Sequence, residues 1–412
     1  MNFSKLFNWW RESSSVSRRS LIAASLGWML DSFDVMLYAL VIAFLMADLG
    51  ISKSTAGLLG SLTLIASAAG GMAFGVIADR FGRVRALMAS ILTYSLFTAA
   101  CGFSKTILQL ALFRVLLGLG MGGEWTSGAA LVSETWPSEH RGKAFGFMQS
   151  FWAVGYAAAA AVAALVLPLW GWRAVFFIGV LPAFFTFWVR RRVEEPEIWK
   201  KQRNFSQKKK ARIGALFQKG TLRITLSISL MNALGLFAWW GLNLWIPAYL
   251  SLTSKQGGVG LSPRLMSGFV IFMQVGMWFG YISFGFISDA LGRKRTYVAY
   301  LLAASFFVFV YSSTKEPLVL FFLGPLVAFF GSGHFSGFGA LSAELYPTSF
   351  RATAQGFTYN IGRIASAVAP FVVGSLAQRK GFGVAFLLIS IAFLMAAFIW
   401  IWIPETRGKE LE

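Results

Sequence analysis

The chain has 412 residues, 57% hydrophobic and only 13% charged, with a formal net charge of +20. Its mean hydropathy of +0.64 is far above that of a soluble domain of this size and places it in a bilayer. One cysteine, Cys101, and two histidines, His140 and His334, exclude a disulfide framework and a Cys-based metal site, and neither metal nor cofactor is expected.

A span needs about 20 apolar residues to cross about 30 Å of hydrocarbon. Residues 1–20 carry Lys5, Arg11, Arg18 and Arg19 ahead of a long apolar run with no small-residue cleavage site. They read as an N-terminal segment before a retained first span, not as a signal peptide. Apolar runs bounded by charge, Gly or Pro follow at residues 21–47, 54–78, 86–103, 107–132, 144–169 and 174–189. After a basic linker, 191–220, that contains Lys208, Lys209 and Lys210, six more fall at 222–251, 265–288, 297–312, 318–343, 353–377 and 382–403. The expected fold is therefore an all-α integral membrane protein of twelve transmembrane helices. It divides into two six-helix bundles, 21–190 and 221–404, with a short tail at 405–412.

Lys and Arg crowd the segments that share a side with the N-terminus and are sparse in the alternating ones. The positive-inside rule then puts both termini in the cytoplasm, in a bacterial-type inner membrane. The same bias accounts for the net charge without a nucleic-acid partner, and the linker lysines suit solvent and lipid headgroups.

The halves repeat each other. Gly75-Val-Ile-Ala-Asp79-Arg80-Phe-Gly82-Arg83-Val-Arg85 recurs as Gly285-Phe-Ile-Ser-Asp289-Ala-Leu-Gly292-Arg293-Lys294-Arg295, an offset of 210. Glu134-Thr-Trp-Pro137 with Arg141 recurs at the same offset as Glu344-Leu-Tyr-Pro347 with Arg351, and Glu195 is matched by Glu405. One constant offset at three places marks a duplicated six-span unit, the arrangement of carriers whose site lies between the repeats.

These motifs resemble the major facilitator superfamily. They include the GxxADRFGRxR loop and its echo, Arg114 with Gly118, Gly120 and Gly122, and the terminal Pro404-Glu-Thr-Arg. Within it, Gly27-Trp-Met-Leu-Asp31-Ser-Phe-Asp34, Gly120-Met-Gly-Gly-Glu124-Trp and Trp170-Gly-Trp-Arg173 resemble the sialate and lactate proton-symporter branch. The chain departs from the fungal monocarboxylate members in its seventh span, and from the fourteen-helix sialate carriers in lacking two spans. The resemblance implies proton-coupled symport of a small organic anion such as a lactate-like monocarboxylate or sialate, working as a monomer by alternating access. Aromatic-acid or dicarboxylate transport and organic-anion exchange stay open as alternatives.

Ionisable groups inside a bilayer are costly and usually face a cavity or a partner. At about 1.5 Å per residue, Asp31, Asp34, Glu124, His334 and Arg363 fall within roughly 6 Å of their spans' midpoints, and Arg114 about 10 Å toward the outside. Arg363 is the candidate carboxylate clamp because guanidinium offers a planar fork. A structural ion pair is its competing role. Arg114 is expected to pair with Asp34 and order the first and fourth spans, with substrate contact as the second reading. Asp31 and Glu124 are candidates for proton coupling, since a carboxyl between a drying cavity and an arginine can change protonation. Asp34 and His334 follow them, His334 being the 210-offset partner of Glu124. Asn232, Asn243, Gln274, Gln149, Tyr359 and Asn360 are candidates to hydrogen-bond the substrate. Trp125, Trp152, Trp239, Trp240 and Phe335 are read mainly as packing. The loops with Asp79, Arg80, Arg83 and Arg85, and with Asp289, Arg293 and Arg295, together with Glu134, Glu344 and Arg351, are candidate gate latches, in addition to setting topology by charge. An integral-membrane enzyme would need a nucleophile or metal motif such as HExxH or GxSxG, and neither is present. A non-transporting receptor is the remaining alternative class.

Overall fold

The computed structural model describes residues 8–197, 199, 213–218, 220–346 and 351–407, and these are helical with no strand among them. The linker lysines Lys208, Lys209 and Lys210, the Pro347 corner, the side chain of Arg351 and the end of the C-terminal tail lie outside the described residues.

Local chemistry sets where the helices begin and end. The first span, Ser15–Leu49, starts at Ser14, whose hydroxyl accepts from the Ser17 amide at 3.0 Å, and stops at Gly50 with φ 62°. Such a side-chain cap satisfies a donor that the first turn leaves free, and glycine adopts the left-handed cap at no steric cost. Ser52, Thr106 and Ser262 cap the second (Lys53–Phe81), fourth (Ile107–Thr135) and eighth (Pro263–Leu291) spans in the same way.

Eleven stretches of the described residues are long and apolar enough to cross a membrane. One of them, His140–Val189, runs for 50 residues and crosses twice. Its helix Ser138–Ile178 turns at Gly171, where φ is 73°. Beyond the turn Arg173 meets Asp48 at 2.8 Å and Phe177 packs on Phe103 at the far end of the third span, Arg83–Cys101. The path then descends through Leu181–Arg192 until Val189 and Val193 pack with Val84 and Leu87 at the opposite end of that helix. The chain therefore makes twelve crossings, as the hydrophobic pattern predicts, with both termini on one face. The remaining spans are Leu222–Ser251, Arg293–Ser313, the broken tenth (Pro317–Gly333, a tight turn at His334–Gly337, then Phe338–Leu345), the broken eleventh (Arg351–Ser366 and Ala369–Lys380) and Phe382–Ile399.

Within the first six spans, glycines let backbones touch. A Cβ added at Gly118 would lie 2.3 Å from the Thr63 carbonyl oxygen, and one at Gly122 2.0 Å from that of Ser67. Small residues permit this approach, which supplies dispersion and close packing where lipid gives no hydrophobic drive.

The duplication is visible in contacts as well as in letters. Arg83 donates to Glu134 at 2.7 and 3.0 Å and to Asp79 at 2.6 Å, and Arg293 repeats this with Glu344 at 2.9 and 3.2 Å and with Asp289. Glu195 accepts from the amides of Val84 and Arg85, and Glu405 from those of Arg293 and Lys294, so each carboxylate sits on a helix N-terminus where the dipole favours an anion. Gly82 (φ 119°) and Gly292 (φ 100°) make the turns, and a Cβ at either would strike the incoming glutamate at 2.2 or 2.7 Å.

The seam between the second and eleventh spans closes at one face and parts at the other. Residues 57, 60, 67, 71 and 75 fall on one stripe of the second helix at its 3.6-residue period. A Cβ at Gly57 would lie 2.3 Å from the Pro370 carbonyl oxygen, and one at Gly60 2.7 Å from a Leu244 methyl. At Gly71 the nearest group of the eleventh span is Arg363 at 3.9 Å, and at Gly75 none of the described residues lies within 4 Å. Hydrogen bonds near the closed face cross the seam from Lys53 to the Gln256 carbonyl, from the Ser54 amide to Gln378, between Ser54 and Ser375, and from the Phe371 amide to Ser61.

Candidate functional site

Halfway along the spans, the seam ends on a layer of buried charge. Asp31, Asp34 and Glu124 are fully buried, and Arg363 reaches across from the eleventh span to donate to the Ser67 hydroxyl at 3.2 Å. Glu124 presses on the first span at Gly27, where a Cβ would sit 2.6 Å from its Oε1. Arg363 lies within electrostatic reach of both Asp31 and Glu124. Among the described residues it has no carboxylate within ion-pair distance, so the structural ion pair weighed as its competing role is not made here. Among the described residues, both Glu124 oxygens and Asp31 Oδ2 also lack a hydrogen-bond partner. Buried polar groups are normally satisfied, so this layer has unused capacity for a ligand or water.

Arg114 is placed differently from the expected pair with Asp34. Its guanidinium lies 3.6 Å from the Tyr38 ring centroid, its Nε donates to the Leu59 carbonyl at 3.3 Å, and it forms no ion pair with Asp34. A π face replaces the carboxylate as the partner of the cation. Arg114 thus ties the first, second and fourth spans together, while Asp34 turns toward Ser95 and Thr98 of the third span. Tyr94, from the same span, is buried with its hydroxyl unpaired and lies within electrostatic reach of Asp31, Asp34 and Glu124.

His334 stands apart from this acidic cluster. It lies in the tight turn of the tenth span, its ring 4.1 Å from that of Phe335, and a Cβ at Gly235 would approach its Nε2 at 3.2 Å. Each of the two 210-offset partners, Glu124 and His334, therefore rests on a glycine of the first span of its own half.

The amide candidates divide. Asn243 donates to the Trp239 carbonyl at 3.0 Å and Asn360 to that of Gly356 at 2.9 Å, so both amides serve their own helices. Buried Asn232 has an unpaired Nδ2, buried Gln274 has neither amide atom paired, and Gln149 is half-buried. Tyr359 lies beside Arg363 and stacks on Trp125 at 5.7 Å.

That stack opens a feature that spacing does not reveal. Trp125 packs on Trp28 at 4.8 Å, Trp28 on Trp152 at 4.6 Å, Trp152 on Trp239 at 5.5 Å and on Trp240 at 6.1 Å, and Trp239 on Phe335 at 6.5 Å. The rings run through both halves in one chain that starts beside Arg363. Trp239 is oriented by a 2.9 Å bond from its Nε1 to Ser332, next to a void of about 10 Å³, room for one water. Read singly, these residues are packing; together they make one aromatic row, most of its rings tilted or edge-on to their neighbours. Their shared depth is the signal that could have found them, since each lies near the midpoint of its own span.

The latch candidates pair inside their own halves through Arg83–Glu134 and Arg293–Glu344. Arg80, Arg85 and Arg295 are exposed, Arg80 lying over the Phe81 ring. Asp79 pairs with Arg83 of its own loop, and the side chains of residues 351–353, at the start of the eleventh span, lie outside the described residues.

Twelve crossings in two repeated sixes, a buried charge layer at mid-depth and a seam closed at one end define a membrane carrier. The family model for the Major Facilitator Superfamily matches residues 24–284 and 256–412. The chain belongs to this superfamily and is not an enzyme. It is 35% identical over 410 residues to a putative metabolite transport protein of Haemophilus influenzae, covering 97% of this chain and 99% of that one. It is 34% identical to a probable 4-methylmuconolactone transporter of Cupriavidus pinatubonensis (99% and 95% covered) and 30% identical to the sialic acid transporter NanX of Escherichia coli (93% of each). Among solved structures it is similar to a D-xylose-proton symporter, with a TM-score of 0.78 at 18% identity over 96% of this chain and 100% of that one. That last likeness speaks to the fold.

Proposed function

We propose that this transporter carries a small, planar, unsaturated or aromatic carboxylate, coupled to protons, by alternating access. The supporting observation is the aromatic lining that begins beside an arginine with no carboxylate within ion-pair distance among the described residues. Arg363 suits a carboxylate through its planar fork, while indole and phenol faces suit a flat π system. The name of the muconolactone relative agrees with a planar substrate, and that of the sialate relative keeps a bulkier acid as the second reading.

In this reading Asp31 and Glu124 carry the proton, with Tyr94 and Asp34 alongside and His334 as a more remote candidate. Each changes hydration as the cavity opens or closes, and Arg363 exchanges their influence for that of the substrate. The bundles 21–190 and 221–404 rock about the site, the loops around Asp79 and Asp289 acting as latches. The termini face, rich in Lys and Arg, is cytoplasmic in an inner membrane, so the seam described above is shut outside and parted inside. The chain acts as a monomer.

Proteoliposome uptake of benzoate, cis,cis-muconate, lactate and sialate, with and without an inward proton gradient, tests this. Accumulation of the planar acids only when the gradient is present is expected. Preference for sialate would overturn the substrate class. Gradient-independent exchange would overturn the coupling.

A further inference from the structure

Five indole N–H groups among the described residues donate to a protein acceptor. Trp136 donates to the Ser17 carbonyl, Trp172 to Asp48, Trp199 to the Asp79 carbonyl, Trp239 to Ser332 and Trp245 to the Pro370 carbonyl. Trp28 and Trp152 do not: both indole nitrogens are buried and unpaired. Trp28 is 9% exposed and Trp152 3%, and their rings touch at 4.6 Å. Trp400 also has an unpaired nitrogen, but it is stacked on Tyr297 at the end of the last span, away from the central layer.

Two adjacent orphaned donors cost more than chance packing explains, since a buried N–H without an acceptor forfeits its hydration. Their location supplies the reason. Trp28 precedes Asp31 by three residues on the same helical face and stacks on Trp125, which stacks on Tyr359 beside Arg363. The lining therefore has a cation at one end and two neutral donors further along. Such donors do not compete with Arg363 for the carboxylate, because a charge-assisted fork is the stronger anion partner. They suit an uncharged acceptor carried on the ring.

We infer that Trp28 and Trp152 form a second recognition point, selecting aromatic acids that bear a neutral hydrogen-bond acceptor, such as a ring hydroxyl, opposite the carboxylate. This inference rests on the substrate class proposed above. It assigns the two indoles a specificity role beyond their ring faces: an acid lacking the acceptor leaves both N–H groups unpaired and binds more weakly.

Calorimetric titration of the purified full-length transporter with benzoate and with 4-hydroxybenzoate tests it. The wild type is expected to bind 4-hydroxybenzoate about fivefold or more tightly over benzoate, the discrimination of one good hydrogen bond. Trp28→Phe and Trp152→Phe keep a ring and remove the donor. In each the ratio is expected to fall toward one, because removing the donor weakens 4-hydroxybenzoate more than the loss of indole area weakens both acids. A wild-type ratio near one, a ratio preserved in both variants, or equal loss for both acids would overturn the subsite and leave the aromatic-acid reading standing. Failure of the wild type to bind either acid would overturn that reading and the subsite with it. Trp400→Phe serves as the control and is expected to leave the ratio at the wild-type value.

Discussion

Adding a single methyl group at Gly57 tests whether the seam between the second and eleventh spans is a gate. In this state the new Cβ would sit 2.3 Å from the Pro370 carbonyl oxygen and 3.0 Å from the Phe371 Cα, both backbone atoms that no rotamer change can move. Ordinary contact begins near 3.4 Å, so the helices must part by about 1 Å. Overpacking of this kind costs about 1–3 kcal/mol, and it falls only on the state in which the seam is shut at that face. The equilibrium is therefore expected to shift about five- to 150-fold toward the state open there. The assay is the labelling rate of Ser375→Cys, in a Cys101→Ser background, by a membrane-impermeant maleimide added from the closed face. Gly57→Ala should speed labelling by that factor. Gly60→Ala should do so less, because the obstructing Leu244 methyl belongs to a side chain that can rotate, and Gly75→Ala should have no effect, having open space around it. Equal labelling in Gly57→Ala and its parent, or an equal effect of Gly75→Ala, would refute the reasoning.

Four further outcomes are expected. Arg363→Lys keeps the charge but loses the fork, so substrate affinity measured by calorimetry should fall about tenfold or more, with membrane insertion intact. Asp31→Asn or Glu124→Gln fixes a neutral side chain and should abolish pH-driven accumulation while sparing exchange of labelled for unlabelled substrate. Normal accumulation in a variant would remove that residue from the coupling scheme. Asp79→Asn should slow turnover more than it weakens binding, because it biases only the conformational equilibrium; equal turnover would sink the latch role. Glu405 lies beyond the last span, where burial raises its carboxyl pKa but the amides of Arg407, Arg293, Thr406 and Lys294 outweigh that and hold it below the usual 4.5. A depressed folded-state pKa stabilises above the unfolded value, and the stability is lost as pH falls through the folded value. Glu405→Gln should therefore lower the unfolding temperature at pH 7, and the gap from wild type should close as pH falls from 4.5 through the lower folded-state value. A gap that persists in acid would contradict this.

The duplicated fold was legible because its signals are local. Each half-loop carries its own glycine turn and arginine, and the letters at Arg83 and Glu134 recur at Arg293 and Glu344 with the same contacts. The mid-depth acids were legible for the same reason, since charge inside an apolar run stands out without knowledge of neighbours. Three features were not. Arg114 was expected to seek the nearest acid, Asp34, but a tyrosine face one turn further along the first span took it, and sequence spacing does not distinguish the two. The aromatic lining joins residues from six different spans, and only the packing of those spans brings Trp28, Trp125, Trp152, Trp239, Phe335 and Tyr359 into one row. Asn243 and Asn360 were chosen by residue type, whereas their amides bond to carbonyls of their own helices, a local alternative always open to an amide side chain.

The charged bonds of the repeated loops stay within one half, while those that cross the seam at its closed end join neutral or singly charged groups near the surface. The two classes of bond therefore have different lifetimes in a working cycle. Arg83–Glu134 and Arg293–Glu344 need never break, and each bundle keeps its stiffest contacts through every turnover. The bonds that must break are those water can replace at once when the crevice floods. Reversal then draws on solvent to offset the lost contacts, and the thermodynamic distance between the two ends of the stroke stays short enough for the cargo to decide its direction.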